Sequence, residues 1–255
     1  MRTHYTHNYI INPRHRVTVN LIGAGGTGSQ VLGELARIDH ALYKLGHPGL
    51  FVTVYDDDIV TEANIGRQLF RSSDIGRYKA EVLVSRINTF YGVDWSAESK
   101  RYTESDSSAN ITITCVDNVK SRIEIGKALK KMSGYKRIDD QEPLYWLDFG
   151  NQLDRGQVIL GTVGIIGQPK AADGVKTVRS MKCVDKIFNL AKVKDEDSGP
   201  SCSLAEALRK QDLFINSFLA QVGCALLWKL IYDGSLDYQG AFVNLTTMNV
   251  NPIKL

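Results

Sequence analysis

The sequence has no CxxC pair, no histidine beyond position 47, only six prolines and little net charge, and each shortage excludes something. Its four cysteines, Cys115, Cys183, Cys202 and Cys224, are scattered singly, which excludes a tetracysteine zinc site built from local knuckles. The histidines, His4, His7, His15, His40 and His47, all lie near the beginning of the chain. A catalytic histidine on a later loop is therefore excluded, which weighs against Ser-His-Asp and Cys-His hydrolases, and no HExxH helix is present. Chemistry in the later chain has to run on Asp, Arg, Lys, Cys or a bound metal. Lys plus Arg exceed Asp plus Glu by 31 − 28 = 3 with the signs interspersed, so no nucleic-acid footprint is expected. No apolar run approaches the roughly 18–20 residues that span a bilayer. Met1 to Asn12 carry no apolar h-region of a secretory signal, and a cytoplasmic protein is expected.

What is present is an ordinary globular composition, 43% hydrophobic and 23% charged across 255 residues, which argues against disorder and coiled coil. Val17–Ile22 is a β-branched apolar run that leads straight into Gly23-Ala-Gly-Gly-Thr-Gly28. Val31, Leu32, Leu35, Ile38, Leu42 and Leu45 then recur at helical spacing as far as Gly46. Further strands are expected at Leu50–Tyr55, Ile111–Val116 and Leu144–Leu147, with helices between them, one of them N-capped by Asp74 and one running from about Val119 to Met132. After Gly150 the pattern shifts. Residues 157–160 and 162–166 read as two short, antiparallel strands, 168–200 as a polar surface excursion, Ser203 to Tyr232 as a helix in one or two pieces, and 241–253 as a hairpin. The expected fold class is α/β: a Rossmann-like, mostly parallel sheet with helices on both faces, plus a C-terminal extension with antiparallel strands. One domain is expected over 1–255, with a nucleotide-binding core at 15–150 and an extension at 151–255 that includes a crossover segment at 168–202.

Gly23-x-Gly25-Gly26-x-Gly28 suits a phosphate cradle between strand and helix. The glycines permit a tight turn, close approach of a phosphate and helix–strand packing, and the helix N-terminus offers free N–H groups to the anion. Glycines also serve bare turns; it is the placement after a strand that carries the nucleotide reading. Asp56 ends the second strand, where a carboxylate can accept both ribose hydroxyls, whereas Asp57 reads as a solvated charge. Gly28 and Asp56 are 28 residues apart, longer than the roughly 20 of a dinucleotide fingerprint, which counts against NAD.

Asp58, Asn64, Arg67 and Gln68 follow, then Asp74-x-Gly76 and Lys79. A dehydrogenase has no use for such a polar loop beyond its ribose acid, whereas an enzyme acting on a triphosphate has. Arg offers a planar fork of donors to phosphate oxygens and Lys a compact charge, while Asn64 and Gln68 add neutral hydrogen bonds. Asp117, beside Asn118 at the end of the third strand, is placed to serve a magnesium ion. Together GAGGTGS, the Asp56-x-Asp58 pair, NIGRQ, Lys79 and the Asp117-Asn118…Arg122 segment resemble the ThiF/MoeB/HesA family of ubiquitin-activating-enzyme-like adenylyltransferases over roughly residues 15–150. Pro200-Ser-Cys202-Ser and the 244–252 tail look like the PRTRC-system ThiF branch.

The resemblance implies a reaction: with Mg-ATP, the C-terminal carboxylate of a ubiquitin-like or sulfur-carrier β-grasp protein attacks the α-phosphate, giving an acyl-adenylate and pyrophosphate. It places Asp56 at the ribose, Arg67 and Lys79 at the phosphates, Asn64 and Gln68 in support, and Asp117 at Mg²⁺. It also implies a homodimer in which Arg14 or Arg16 reaches the partner's ATP, and a conjugating or sulfur-transfer partner downstream. The chain departs from many relatives in lacking paired CxxC knuckles. Some members receive the activated tail on a cysteine. Cys115 and Cys224 read as core, while Cys183 and Cys202 lie in or beside the polar excursion, Cys202 being favoured because it precedes an expected helix. Lys127, Lys130, Lys131, Lys136 and Arg137 read as a solvated basic face, and Trp146, Phe218 and Trp228 as core. The competing readings are an NAD(P)-dependent oxidoreductase, which leaves Arg67 and Lys79 without a role, and a non-catalytic nucleotide-binding partner module. An RNA-modifying dehydratase is a further offshoot that the charge balance does not support.

Overall fold

A computed structural model describes residues 2–133, 141–170, 174–190 and 211–255. Strands β2 (Val17–Ile22), β3 (Leu50–Tyr55), β4 (Ser96–Glu98), β5 (Ile111–Thr114) and β6 (Tyr145–Asn151) are parallel neighbours. β7 (Arg155–Thr162), β10 (Tyr238–Asn244) and β11 (Asn249–Lys254) continue the same sheet antiparallel, in the order β11-β10-β7-β6-β5-β2-β3-β4. The fold is thus the expected Rossmann-like α/β arrangement with a C-terminal antiparallel extension, and the extension builds onto β6 rather than forming a sheet of its own. A small second sheet joins β1 (Arg2–Tyr5), β8 (Lys176–Thr177) and β9 (Ser235–Leu236).

Both sheet faces are covered because successive strand residues point to opposite sides. Val19, Leu21, Val52, Val54, Ile111, Ile113 and Leu147 meet α2 (Gly26–Lys44), α3 (Lys79–Tyr91) and Ile215–Tyr232 in one core. Ile22, Tyr55, Trp146 and Ile159 meet α4 (Val119–Ser133) and the short α5 (Val184–Ile187) in a second. The helix Ile215–Tyr232, here α6, packs along α2 and over β6, β7 and β10, burying Ile215, Leu219, Leu227 and Leu230. Each such leucine contributes about 1.5–3 kcal/mol by leaving water. By length and composition α6 is apolar enough to cross a membrane, which the sequence reading did not anticipate, yet 56% of it is buried inside the fold, as befits a core helix.

Several expectations are corrected. Asp74 does not cap α3, whose N-cap is Tyr78. It closes a 3-10 turn, Ser72–Asp74, and is buried there against Arg86 and the Arg71 backbone N–H. The two short strands read at 157–160 and 162–166 are one strand, β7, ending at Thr162. The segment read as a polar excursion holds β8, α5 and the buried Met181, Cys183 and Val184. The helix read from Ser203 is α6 from Ile215; residues 203–210 lie outside the described residues, as do Lys136 and Arg137 of the basic cluster. Lys130 and Lys131 are paired with Asp185 and Glu104.

The N-terminal strand β1, alternating too briefly to be read from sequence, is pinned by a fully buried imidazole. His4 Nδ1 lies 2.7 Å from the Val178 carbonyl oxygen and Nε2 3.0 Å from the Tyr145 hydroxyl, which accepts the His7 backbone N–H at 2.9 Å. A neutral ring satisfies all three contacts, donating from Nδ1 and accepting at Nε2. Burial holds the His4 pKa below its ordinary 6.5. The unfolded chain therefore binds a proton near 6.5 that the folded chain refuses, so this contribution to stability is present above that pH and lost as pH falls below it. The melting temperature is expected to drop between about pH 7 and 5, and His4→Gln to flatten that drop. An equal slope in His4→Gln would assign the loss to another group.

Candidate functional site

From β2 the chain moves outward through β3 and β4, then returns to lay β5 and β6 on the other side of β2. The strand order reverses between β2 and β5, and in open α/β sheets a crevice forms there beyond the carboxyl ends of the strands. The expected site residues sit on those ends: the glycine turn after β2, Asp56 after β3 and Asp117 after β5.

The four glycines of the turn divide by what surrounds them. Gly23 has φ +94°, and a Cβ there would stand 2.8 Å from the Cys115 carbonyl oxygen. A Cβ on Gly28 would lie 1.8 Å from the Gly23 carbonyl oxygen, and one on Gly26 2.5 Å from Asn216 Nδ2. Among the described residues nothing lies within 4 Å of a Cβ on Gly25. Three glycines thus serve the protein's own packing, and Gly25 has no such neighbour among the described residues. Gly25 is also the N-cap of α2 and supplies no side-chain hydrogen bond, so the first turn of α2 keeps donors for an anion.

Asp56 closes over this turn. Its carboxylate accepts the Ala24 backbone N–H at 2.6 Å and the Asp58 backbone N–H at 2.9 Å. Burial raises its pKa against these hydrogen bonds and against Lys79. Each carboxylate oxygen still has a free lone pair, so the ribose role remains chemically open. Asp57 turns away to Arg101 at the surface. Lys79 is the first residue of α3, and its ammonium lies 2.7 Å from Asp58 Oδ2. Its side chain is only 8% exposed, so it is no solvated helix residue.

Arg67 is half-buried and meets a neutral group: Nη1 donates to Gln211 Oε1 at 2.5 Å. Its Nε is buried with no partner among the described residues, and desolvation pulls the guanidinium pKa down. Gln211 Oε1 also accepts from Asn216 Nδ2 at 2.9 Å, and Asn216 Oδ1 accepts from Thr27 Oγ1 at 2.9 Å and Asn151 Nδ2 at 2.7 Å. The half-buried amide of Gln211 and the buried amide of Asn216 thus join Arg67 to the first turn of α2. Asn64 Oδ1 accepts the Thr61 N–H and hydroxyl and closes a 3-10 turn. Gln68 is buried with its Oε1 unpartnered among the described residues.

Asp117 is exposed just beyond β5, and its Oδ1 accepts from Asn118 Nδ2 at 3.2 Å. Asn118 accepts the Ser121 N–H at 2.8 Å near the start of α4. Arg122 does not face open space. It donates to the carbonyls of Val116 and Phe149 and pairs with Asp148 at 3.1 Å, so it holds the loop that carries Asp117. Asp148 is fully buried; burial raises its pKa although Arg122 and the Thr114 hydroxyl act against the shift. Sequence reasoning missed Asp148, Asn151, Gln211 and Asn216, because each lies far along the chain from the motif it supports.

Of the cysteines, Cys224 is buried as expected, and Cys115 lies one residue past β5, half-buried beneath the glycine turn. Cys183 is corrected. It is buried, its thiol lies 3.3 Å from the Thr162 carbonyl oxygen, and burial pushes its pKa up to about 12, so it is neither reachable nor a ready thiolate. Cys202 lies outside the described residues. Arg16 is engaged with both oxygens of Asp94 and sits 4.8 Å over the Phe51 ring at the start of β2, the end of the sheet remote from the crevice. Arg14 is exposed.

The packing of the turn is open to test. Gly28→Ala is expected to destabilise by about 3 kcal/mol or more, since backbone rather than a flexible side chain blocks the added methyl. Gly25→Ala should cost clearly less in chemical denaturation; equal losses would show that the glycines are not divided in this way.

Similarity to known proteins accords with this geometry. A crystal structure of selenomethionine PaaA superposes with TM-score 0.58 at 16% identity, covering 96% of this chain and 66% of that one. Escherichia coli MccB with selenomethionine MccA superposes with TM-score 0.58 at 16% identity, covering 94% and 64%. The same MccB with ATP gives TM-score 0.54 at 16% identity, covering 93% and 63%. At such identity the likeness concerns the fold, and the chain spans just under two thirds of each relative's length. No curated protein matches its sequence. The ThiF family pattern matches residues 14–251, nearly the whole chain, and the protein belongs to the ThiF family.

Proposed function

We propose that the protein is an ATP-dependent adenylyltransferase acting on the C-terminal carboxylate of a ubiquitin-like β-grasp carrier. The observation that carries this reading is Arg67, a desolvated guanidinium joined to a neutral amide, with a buried Nε that has no partner among the described residues and a hydrogen-bonded path to the N-terminus of α2. A positive group held in this way, beside a helix start that keeps its donors, suits an anion such as a triphosphate. Lys79 adds a second buried cation, and Asp56 stands where a ribose would lie. A hydride-transfer site would leave both cations idle. Support also comes from family membership and from the likeness to MccB, which has been crystallised with ATP and with MccA.

In this reading the carrier's terminal carboxylate oxygen bonds to the α-phosphorus of ATP while the bond from that phosphorus to the pyrophosphate oxygen breaks. Arg67 and Lys79 hold the charge that shifts onto the departing pyrophosphate. Gln68 lies beside Arg67 in sequence with a buried oxygen that has no partner among the described residues, and Asn64 shapes the loop that carries both. Among the described residues no group of three potential metal ligands occurs. The single exposed carboxylate of Asp117 fits Mg²⁺, which takes one or two carboxylates together with substrate phosphates and, when bound, neutralises phosphate charge. A homodimer with Arg14 as the residue reaching the partner's nucleotide belongs to the same reading, because Arg16 is already engaged by Asp94. Cys202 is the remaining candidate for a thioester. Its thiolate would attack the acyl-adenylate carbonyl, AMP would leave, and a conjugating or sulfur-transfer partner would take the tail onward. Consumption of ATP suits a cytoplasmic location.

The test is ATP–pyrophosphate exchange with a panel of purified β-grasp proteins ending in Gly-Gly. Carrier-dependent exchange is expected in the unaltered protein, lowered about 100-fold or more in Lys79→Ala and Asp117→Ala. Absence of exchange with every carrier, together with tight NAD binding, would establish the oxidoreductase reading instead. A carrier adduct cleaved by thiol reagents should disappear in Cys202→Ser; its persistence there would remove Cys202 from the reaction.

A further inference from the structure

The amide pair that meets Arg67 comes from the C-terminal part of the chain, remote in sequence from both the glycine turn and the arginine's own loop. Asn216, 2% exposed on the first turn of α6, has its orientation determined by its neighbours. Two donors, Thr27 Oγ1 and Asn151 Nδ2, take up its carbonyl oxygen, so its NH₂ must face Gln211 Oε1. That oxygen in turn accepts Arg67 Nη1, which uses both of its lone pairs. The same carboxamide occupies the space where a side chain on Gly26 would stand, so the helix start and the amide fit one another.

We propose that Gln211 and Asn216 are positioning residues that hold the Arg67 guanidinium in register with the N-terminus of α2, so that one polyphosphate engages both. The inference rests on the adenylation reading for its ligand and goes beyond it in assigning these two residues. The choice of an amide has a physical reason. A carboxylate at position 211 would orient Arg67 equally well but would neutralise it, whereas a neutral acceptor fixes the geometry and leaves the full charge for the phosphates. The buried Nε of Arg67, without a partner among the described residues, is the donor offered to that ligand. Thr27 and Asn151 complete the relay by locking the amide that orients Gln211.

A double-mutant cycle separates positioning from general packing. Affinity for Mg-ATP is measured by calorimetry for the unaltered protein, Gln211→Met, Arg67→Met and the pair, with melting temperatures taken alongside. Gln211→Met is expected to weaken Mg-ATP binding about five- to tenfold when Arg67 is present and less than about twofold when it is absent. Asn216→Ser, placed in the same cycle, should show the same dependence on Arg67 and guards against a folding defect peculiar to Gln211→Met. Equal losses with and without Arg67 would overturn the positioning role while leaving the adenylation reading intact. An unaltered protein that binds no Mg-ATP would overturn both.

Discussion

The rest of the site depends on how closely helix α2 presses onto the end of strand β2. The Cα of Gly28 approaches the Gly23 carbonyl so nearly that any side chain would collide with it, and Gly23 itself passes over the backbone at Cys115 with a left-handed φ. This contact brings the positive end of a long helix to the point where the strand order reverses. Asp56 can then reach the Ala24 N–H, and the loop after β5 is carried alongside, with Asp117 at its outer edge.

Around that contact, charge is arranged by degree of compensation. Asp74 with Arg86 and Asp148 with Arg122 are buried acid–base pairs that hold loops in place. Lys79 has a carboxylate partner in Asp58, but one that is mostly exposed. Arg67 alone of these cations has no carboxylate partner among the described residues, where its Nε is also without a hydrogen-bond partner. A structural arginine in such surroundings would be expected to have a carboxylate, because removing a guanidinium from water without one is costly. Among the described residues the pairing thus grades from acid–base pairs that hold loops to a guanidinium with no carboxylate near the start of α2.

Much of the fold was legible because its signals are local. The runs at 17–22 and 50–55 coincide with β2 and β3, and the spacing from Val31 to Leu45 with α2, since β-branched runs and helical periodicity report on near neighbours. The start of α3 was misread because Asp74 suits a helix cap equally well, and only its burial against Arg86 reveals that it caps a 3-10 turn. The antiparallel strands were legible as strands but not as members of the main sheet, because pairing between β7 and β10 links residues about 80 positions apart. Cys183 read as exposed because its surroundings in sequence are polar, yet tertiary packing places it under Gly161 and against Thr162.

The sequence by itself determined the main strands β2, β3, β5 and β6 with the helices between them, the glycine turn with its acid, and the identity of the nearby cations, because each is encoded within a short window. The tertiary structure alone decided how those groups are paired among the described residues. Asn64 Oδ1 closes its own loop, Arg122 braces a neighbouring one, and Arg67 meets Gln211, which in turn meets Asn216. Such a distinction rests on hydrogen bonds between residues that are distant in the chain, and these exist only once α6 has packed along α2.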